Sequence, residues 1–297
     1  MKKIKLLFLL LTFQIIQIQS IQAKDVGVYN LSSHWTYLAL QGGPYLLTDK
    51  NDEISLRPYF TIGLSGGYEY RYSAFWTSIG MDLQYWSVKL STDQTYQYDL
   101  QLYDTQGKLM NYHYLIGAGS EVPQGVSLNL PILVGFHVKG FYMGVGVKVG
   151  TSLFSVSRVT RKYQTYASYP QYISDFEDMP GHYYSDYKKT SVGKIGFQWP
   201  ISGIVEIGYD AFETITNYNQ RYRLKIAMYA EYGLNNIWRN KTETPIFVVD
   251  SDHPVQLNFN PYYGTHRYTE ESKVIPMSAG LKLTLLFRIP TKDCNCL

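Results

Sequence analysis

The stretch VSLNLPILVGFHVKGFYMGVGVKVGTSLFSVS, residues 126–157, decides the fold. In its first arm the even positions are Val126, Leu128, Leu130, Ile132, Val134, Phe136 and Val138, alternating with Ser127, Asn129, Pro131, Leu133, Gly135 and His137. After Lys139-Gly140 the apolar side moves to odd positions: Phe141, Met143, Val145, Val147 and Val149. These face away from Tyr142, Gly144, Gly146, Lys148 and Gly150. Period-two alternation places one face of a strand in an apolar medium and the other against small or polar groups. Each arm exceeds the five or six residues usual in soluble strands and suffices to cross a bilayer at a tilt. The reading is a membrane-spanning hairpin.

The N-terminus agrees with export. Lys2, Lys3 and Lys5 precede an apolar run, Leu6 to Phe13, and Ala23 is a small residue suited to cleavage, so residues 1–23 read as a signal peptide. The remainder, 24–297, reads as one barrel domain with a short periplasmic C-terminal tail. No later run approaches the roughly 20 apolar residues of a membrane helix, and a spanning chain without such helices must be a closed barrel. Of 27 Lys+Arg and 24 Asp+Glu, the signal takes three lysines, which leaves the acids and bases equal. No basic tract points to nucleic acid. The 29 Tyr and 24 Gly suit sheets, membrane interfaces and a crowded interior.

Further strands are expected at 34–47, 59–71, 75–85, 200–212, 222–233 and 275–287. The faces of the first are ambiguous, because Leu38 and Leu40 oppose Trp35 and Tyr37. Connections alternate between short (72–74, 139–140, 213–220) and long (91–124, 158–197, 235–273), with 48–57 among the longer ones. That asymmetry belongs to outer-membrane barrels. Aromatics of the apolar faces gather at the short-turn ends: Tyr68, Tyr70, Phe75, Phe136, Phe141, Tyr209, Tyr222 and Phe287. Mid-strand charges share the polar faces: Glu69, Asp82, Glu206 and Glu231 with Lys148, Arg223, Lys225 and Lys282. One basic residue at the lipid midplane costs roughly 2–4 kcal/mol, so several would exhaust a folding stability of about 5–15 kcal/mol. They are expected inside, as a charge-balanced network. The fold class is all-β, a transmembrane antiparallel up-and-down barrel of eight strands, with ten or twelve as the alternative if residues 91–124 and 235–273 join the wall.

SLNLPILVGF followed by FYMGVGVKVG, and the ending SAGLKLTLLFRIP, resemble strands of the outer-membrane β-barrel family of Bacteroidota, described as porin-like or OmpA/OmpX-like. The resemblance implies an eight-stranded barrel in the cell outer membrane and assigns no active site. Members commonly end on an aromatic, whereas here Phe287 is followed by Arg288 to Leu297.

An eight-stranded barrel has room inside for side chains alone. The expected work is therefore surface binding, adhesion or envelope structure through the outside loops, with a small passive channel as the alternative. In YQTYASYPQY, Tyr163, Tyr166, Tyr169 and Tyr172 recur every three residues, and Tyr183 and Tyr184 follow. Exposed tyrosines form a low-entropy contact surface for an extracellular protein or glycan; the other reading packs these rings on one another. Outer-membrane lipid is the remaining expected partner. An outer-rim enzyme would draw on Asp250, Asp252 and His253 or on His113, His182 and His266, without a catalytic motif. DSDHP reads first as a turn. No enzyme, metal or cofactor is expected. Cys294 and Cys296 lie beyond the last strand and are assigned no role.

Overall fold

The structure is a computed structural model that describes residues 32–48, 55–93, 95–103, 106–169, 185–211, 221–238, 245, 247–249, 256–261 and 273–289. The expected signal peptide, the C-terminal tail with Cys294 and Cys296, and the turn 213–220 lie outside them. In chain order the strands are β1 (Ser32–Gly43), β2 (Tyr45–Thr48), β3 (Ser55–Tyr72), β4 (Phe75–Thr92), β5 (Tyr96–Tyr103), β6 (Leu109–Val138) and β7 (Phe141–Ser168). They continue as β8 (Ser185–Lys194), β9 (Ile201–Asp210), β10 (Tyr222–Gly233), β11 (Phe247–Val249), β12 (Leu257–Phe259) and β13 (Ile275–Arg288).

Eight of these follow one another around a ring of antiparallel pairings. The order is β1, β3, β4, β6, β7, β9, β10 and β13, and β13 pairs again with β1. Pro44 has no N–H to give the ladder, and there the first strand breaks into β1 and β2. Lys139 and Gly140, both at positive φ (50° and 86°), make the tight β6–β7 turn, the backbone that suits the right-handed twist of a hairpin.

The wall is apolar outside and polar inside. Leu64, Met81, Val134, Met228 and Leu281 stand on the outer face, while Glu69, Asp82, Lys148, Glu206 and Lys225 are buried within. The β1 ambiguity resolves with Trp35, Tyr37, Ala39 and Gln41 inward and Leu38 and Leu40 outward. Besides the aromatics at the short-turn end, outer-face aromatics stand ten positions away on the same segments: Phe60 with Tyr70, Tyr85 with Phe75, Trp199 with Tyr209, and Tyr232 with Tyr222. A tilted strand of about 9–11 residues crosses a bilayer core, so the two aromatic rows bracket one membrane thickness.

Paired glycines make room for rings inside. Gly135 and Gly144 face each other across β6 and β7, and a Cβ on Gly144 would come within 2.5 Å of Trp76. Gly67 and Gly80 pair likewise under the Tyr37 hydroxyl, which a Cβ on Gly80 would approach to 2.1 Å. The glycines on the polar face are the floor on which large interior side chains lie.

The expectation that 158–197 forms a loop is corrected. β7 runs on to Ser168 and pairs with β8 over Val156–Thr165. Residues 91–124 contain the expected hairpin, β5 against the start of β6, but its return arm is continuous with the barrel strand. The short hairpin in 235–273 is β11–β12, three residues per arm and outside the wall. Strands persist beyond the aromatic row because β12 covers them. Val159, Tyr163, Ala167, Tyr112, Tyr114 and Ile116 form one core with Leu257 and Phe259. The result is a head, a four-stranded sheet β5-β6-β7-β8 packed on a small hairpin.

Gly144→Leu is expected to drive a side chain into Trp76 and abolish the compact species on an unheated SDS gel. Gly203→Ala, whose Cβ enters open space, is expected to retain it. A compact Gly144→Leu barrel would show that Trp76 does not fill this level.

Candidate functional site

Near the short-turn end of the barrel, Arg71 and Lys225 share Glu69, at 2.7 and 2.6 Å. Arg71 also reaches Asp210 (3.1 Å), as does Arg223 (3.4 Å). The two guanidinium groups lie over the Trp35 ring at 5.5 and 5.1 Å, and the Lys225 ammonium lies 4.4 Å from the Trp76 ring centre and 4.7 Å from that of Tyr142. Arg71 and Lys225, both buried, and the partly buried Arg223 are thus held by carboxylates at one side and aromatic faces at the other.

One level outward, Lys282 pairs with Glu206. Above it Lys148 bridges Asp82 (3.3 Å) and Glu231 (2.5 Å) and donates to Gln84 (3.2 Å). Gln41 donates to Asp82, Asn129 to Gln84, and Ser278 to Glu231. All eight charges expected inside stand in this network. Arg71 and Asp210 belong to it too and were missed. Both lie on the inward parity of their strands but next to a turn, where a sequence reading confined to mid-strand charges does not look. The interior then holds Glu69, Asp82, Glu206, Asp210 and Glu231 against Arg71, Lys148, Arg223, Lys225 and Lys282, formally neutral.

Toward the head the interior turns apolar. Tyr45, Leu47, Trp86, Val88, Leu90, Ile195, Phe197, Ile237 and Val274 pack together across it. Between this plug and the Lys148 cluster lies a cavity of about 50 Å³, lined by residues including Gln84, Asn129, Lys148, Glu231, Trp86 and Phe197. That is room for a water or two.

Of the expected tyrosine surface, Tyr163 is 4 % exposed and Tyr169 7 %, both in the head core. This is a correction: at spacing three on a strand, Tyr163 and Tyr169 fall on one face and Tyr166 on the other. Tyr163 stacks on Tyr187 with ring centres 5.2 Å apart, and burial pushes its hydroxyl up from its ordinary value, as it does for Tyr112 and Tyr114. Tyr166, on the outer side, stacks on His113 at 4.4 Å. Tyr172, Tyr183 and Tyr184 lie outside the described residues, as do Asp250, Asp252, His253, His182 and His266.

His113 also joins two strands by hydrogen bonds. Its Nδ1 lies 2.6 Å from Asp99 Oδ1 and its Nε2 2.8 Å from Ser168 Oγ. The order Asp–His–Ser is that of a hydrolase triad, but this one lies on the outer face of an open sheet, with Asp99 half-exposed. The cavity inside the barrel does not adjoin it. As built, it clamps β5, β6 and β7 together. Among the described residues no group of three or more His, Cys, Asp or Glu is arranged to hold a metal.

No protein-family model matches the chain, and no curated protein matches it. Among solved structures, a similar chain is Ail, the attachment invasion locus protein of Yersinia pestis, solved in complex with the heparin analogue sucrose octasulfate. It shares 6 % identity at a TM-score of 0.25, covering 85 % of this chain and 99 % of that one. The barrel assignment rests on the strand pairings and the two faces of the wall, not on this likeness.

Glu69→Ala would leave Lys225 and Arg71 short of the carboxylate they share, and removing one partner of a buried pair costs about 3–5 kcal/mol. Tyr103→Ala, at an exposed head position, is expected to stay within about 0.5 kcal/mol of wild type. Urea unfolding midpoints in detergent compare the two; equal midpoints would contradict an ionic interior that carries stability.

The hydrogen bond from His113 holds the Asp99 carboxyl below its ordinary value. A depressed folded-state pKa means the clamp's contribution is complete above the unfolded value of about 3.9 and is lost as pH falls through the folded one. A carbon-detected NMR titration of Asp99 should show the low midpoint, and His113→Ala should return it to the ordinary range.

Proposed function

We propose that the chain resides in an outer membrane and serves as a surface-binding or adhesive scaffold, its barrel an anchor and its head the working part. The observation that carries this reading is the continuity of β6 and β7. The 30- and 28-residue strands pass from the wall into the head without a break, so the head is an extension of the barrel with its own aromatic core. A rigid platform loses little entropy when a ligand binds, which favours recognition over passage. The likeness to Bacteroidota outer-membrane barrels noted in the sequence supports the same placement.

Three features favour a non-conducting barrel: paired charges at three levels, rings seated on glycine pairs, and the apolar plug around Trp86 and Phe197. Planar-bilayer recording is expected to show no resolved conductance steps from the full chain. Steady single-channel currents would replace the anchor reading with a passive channel.

The scaffold is proposed to be non-enzymatic. Ser168, hydrogen-bonded to His113 on an open sheet, is expected to remain unlabelled by a fluorophosphonate probe. Labelling that disappears in His113→Ala would turn the clamp into an active site. Ligand recognition itself is testable by binding of the purified full chain to arrays of extracellular proteins and glycans, where Tyr103→Ala and Val248→Asp, both on exposed head positions, should weaken any hit.

A further inference from the structure

The outer face of the head beside the barrel wall carries a one-sign charge pattern that the scaffold reading does not use. The paired segments Val156–Lys162 of β7 and Lys188–Lys194 of β8 contain Arg158, Arg161, Lys162, Lys188, Lys189 and Lys194 and no acid. Arg161 turns inward, its guanidinium over the Tyr96 ring. Arg158, Lys162, Lys188 and Lys194 all project from the outer face and are exposed. In register, Lys188 stands opposite Lys162, while Lys194 and Arg158 occupy neighbouring rows; between them Thr160 and Thr190 meet at 3.0 Å. From Val156 to Lys162, at about 3.3 Å per residue, the strip is about 20 Å long.

Its position says what it faces. The register shift between Val126 and Ser127 leaves Leu153 as an extra residue on β7, so the outer face passes from odd to even positions at Phe154. Phe154, exposed, belongs to the aromatic row at the head end of the wall, and Val156, opposite Lys194, is two residues beyond it. The strip is thus the direct upward continuation of the lipid-facing surface. It looks sideways over the headgroup layer, whereas the tip of the head looks outward. Lysines on an edge strand also discourage pairing with another chain, and that would account for β8. It does not account for Arg158, which is paired on both sides, with Val122 of β6 and Val192 of β8, nor for Lys162 on the same inner strand.

We propose that this strip binds the phosphate groups of anionic glycolipid headgroups in the outer leaflet, with Arg158 and Lys194 reaching the phosphates nearest the acyl boundary and Lys162 and Lys188 those farther out. The proposal rests on the membrane placement above. Arginine and lysine side chains match phosphate as charge-assisted donors, and basic side chains beside an anionic membrane surface contribute about 1 kcal/mol each.

The test is native mass spectrometry of the full chain in neutral detergent, titrated with diphosphoryl lipid A and with its fully dephosphorylated form. Retention of the diphosphoryl form is expected, weakening as salt rises. In R158Q/K162Q/K188Q/K194Q it should fall about tenfold or more, and in the charge-keeping R158K/K162R/K188R/K194R it should recover. Equal retention of the dephosphorylated form, or no loss in the neutral variant, would overturn the proposal. So would a soluble polysulfated glycan that binds through the same four residues while lipid A does not, since the strip would then read a polyanion arriving from outside. Protease protection of the barrel in phosphatidylcholine vesicles is measured separately. Its failure would sink the membrane placement and the headgroup source with it, whereas intact protection without phosphate preference would sink the strip alone.

Discussion

The interior charge balance is the constraint on which the rest of the molecule depends. A wall whose outer face is apolar over a membrane thickness leaves no external place for mid-strand charges, and an eight-stranded barrel has too little room inside for the bulk water that would solvate ten of them. Each ionised group must therefore meet its opposite across the barrel. Glu69 on β3 meets Lys225 on β10, Asp82 on β4 meets Lys148 on β7, and Glu206 on β9 meets Lys282 on β13. These contacts join strands that are not neighbours in the wall. They hold the circumference together from within and fix which strand stands opposite which.

The glycines and aromatic rings serve the same end. Gly135 and Gly144 flatten one patch of wall so that Trp76 can lie on it, and Trp76 with Tyr142 then offers Lys225 an aromatic face where its remaining donors would otherwise meet nothing. Trp35 does this for Arg71 and Arg223. Wall glycine and interior ring are thus two halves of one arrangement, with Trp76 over Gly135 and Gly144 and Tyr37 over Gly67 and Gly80. The strands of the head continue past this filled interior into an aromatic core of their own.

Face assignment was readable from the residues because it is local. A strand's parity shows in any six or seven of its residues, so the face of a mid-strand charge is legible one strand at a time. Parity says less where both faces of a strand are apolar. Trp35 and Tyr37 are as apolar as Leu38 and Leu40, and only their neighbours Glu69, Arg71 and Gly67 tell that they are interior. Arg71 and Asp210 stand next to turns, where parity covers too few residues to mark a charge as interior, and only their mutual contact does so.

The sequence by itself determined the class of fold, the inward direction of charge and the tight Lys139-Gly140 turn, since alternation, the midplane cost of a cation and positive φ act within a few residues. Tertiary structure alone decided the identity of the ion pairs, whose members lie as far apart as Glu69 and Lys225, and the fate of residues 158–168. Beyond the apolar band of the wall a strand with polar residues on both sides looks like a loop. Whether Tyr163 is a contact surface or a core residue depends on Leu257 and Phe259, nearly a hundred positions away, coming to cover it. Non-local burial of that kind leaves no periodicity in the covered strand, and so it appears only when the chain is folded.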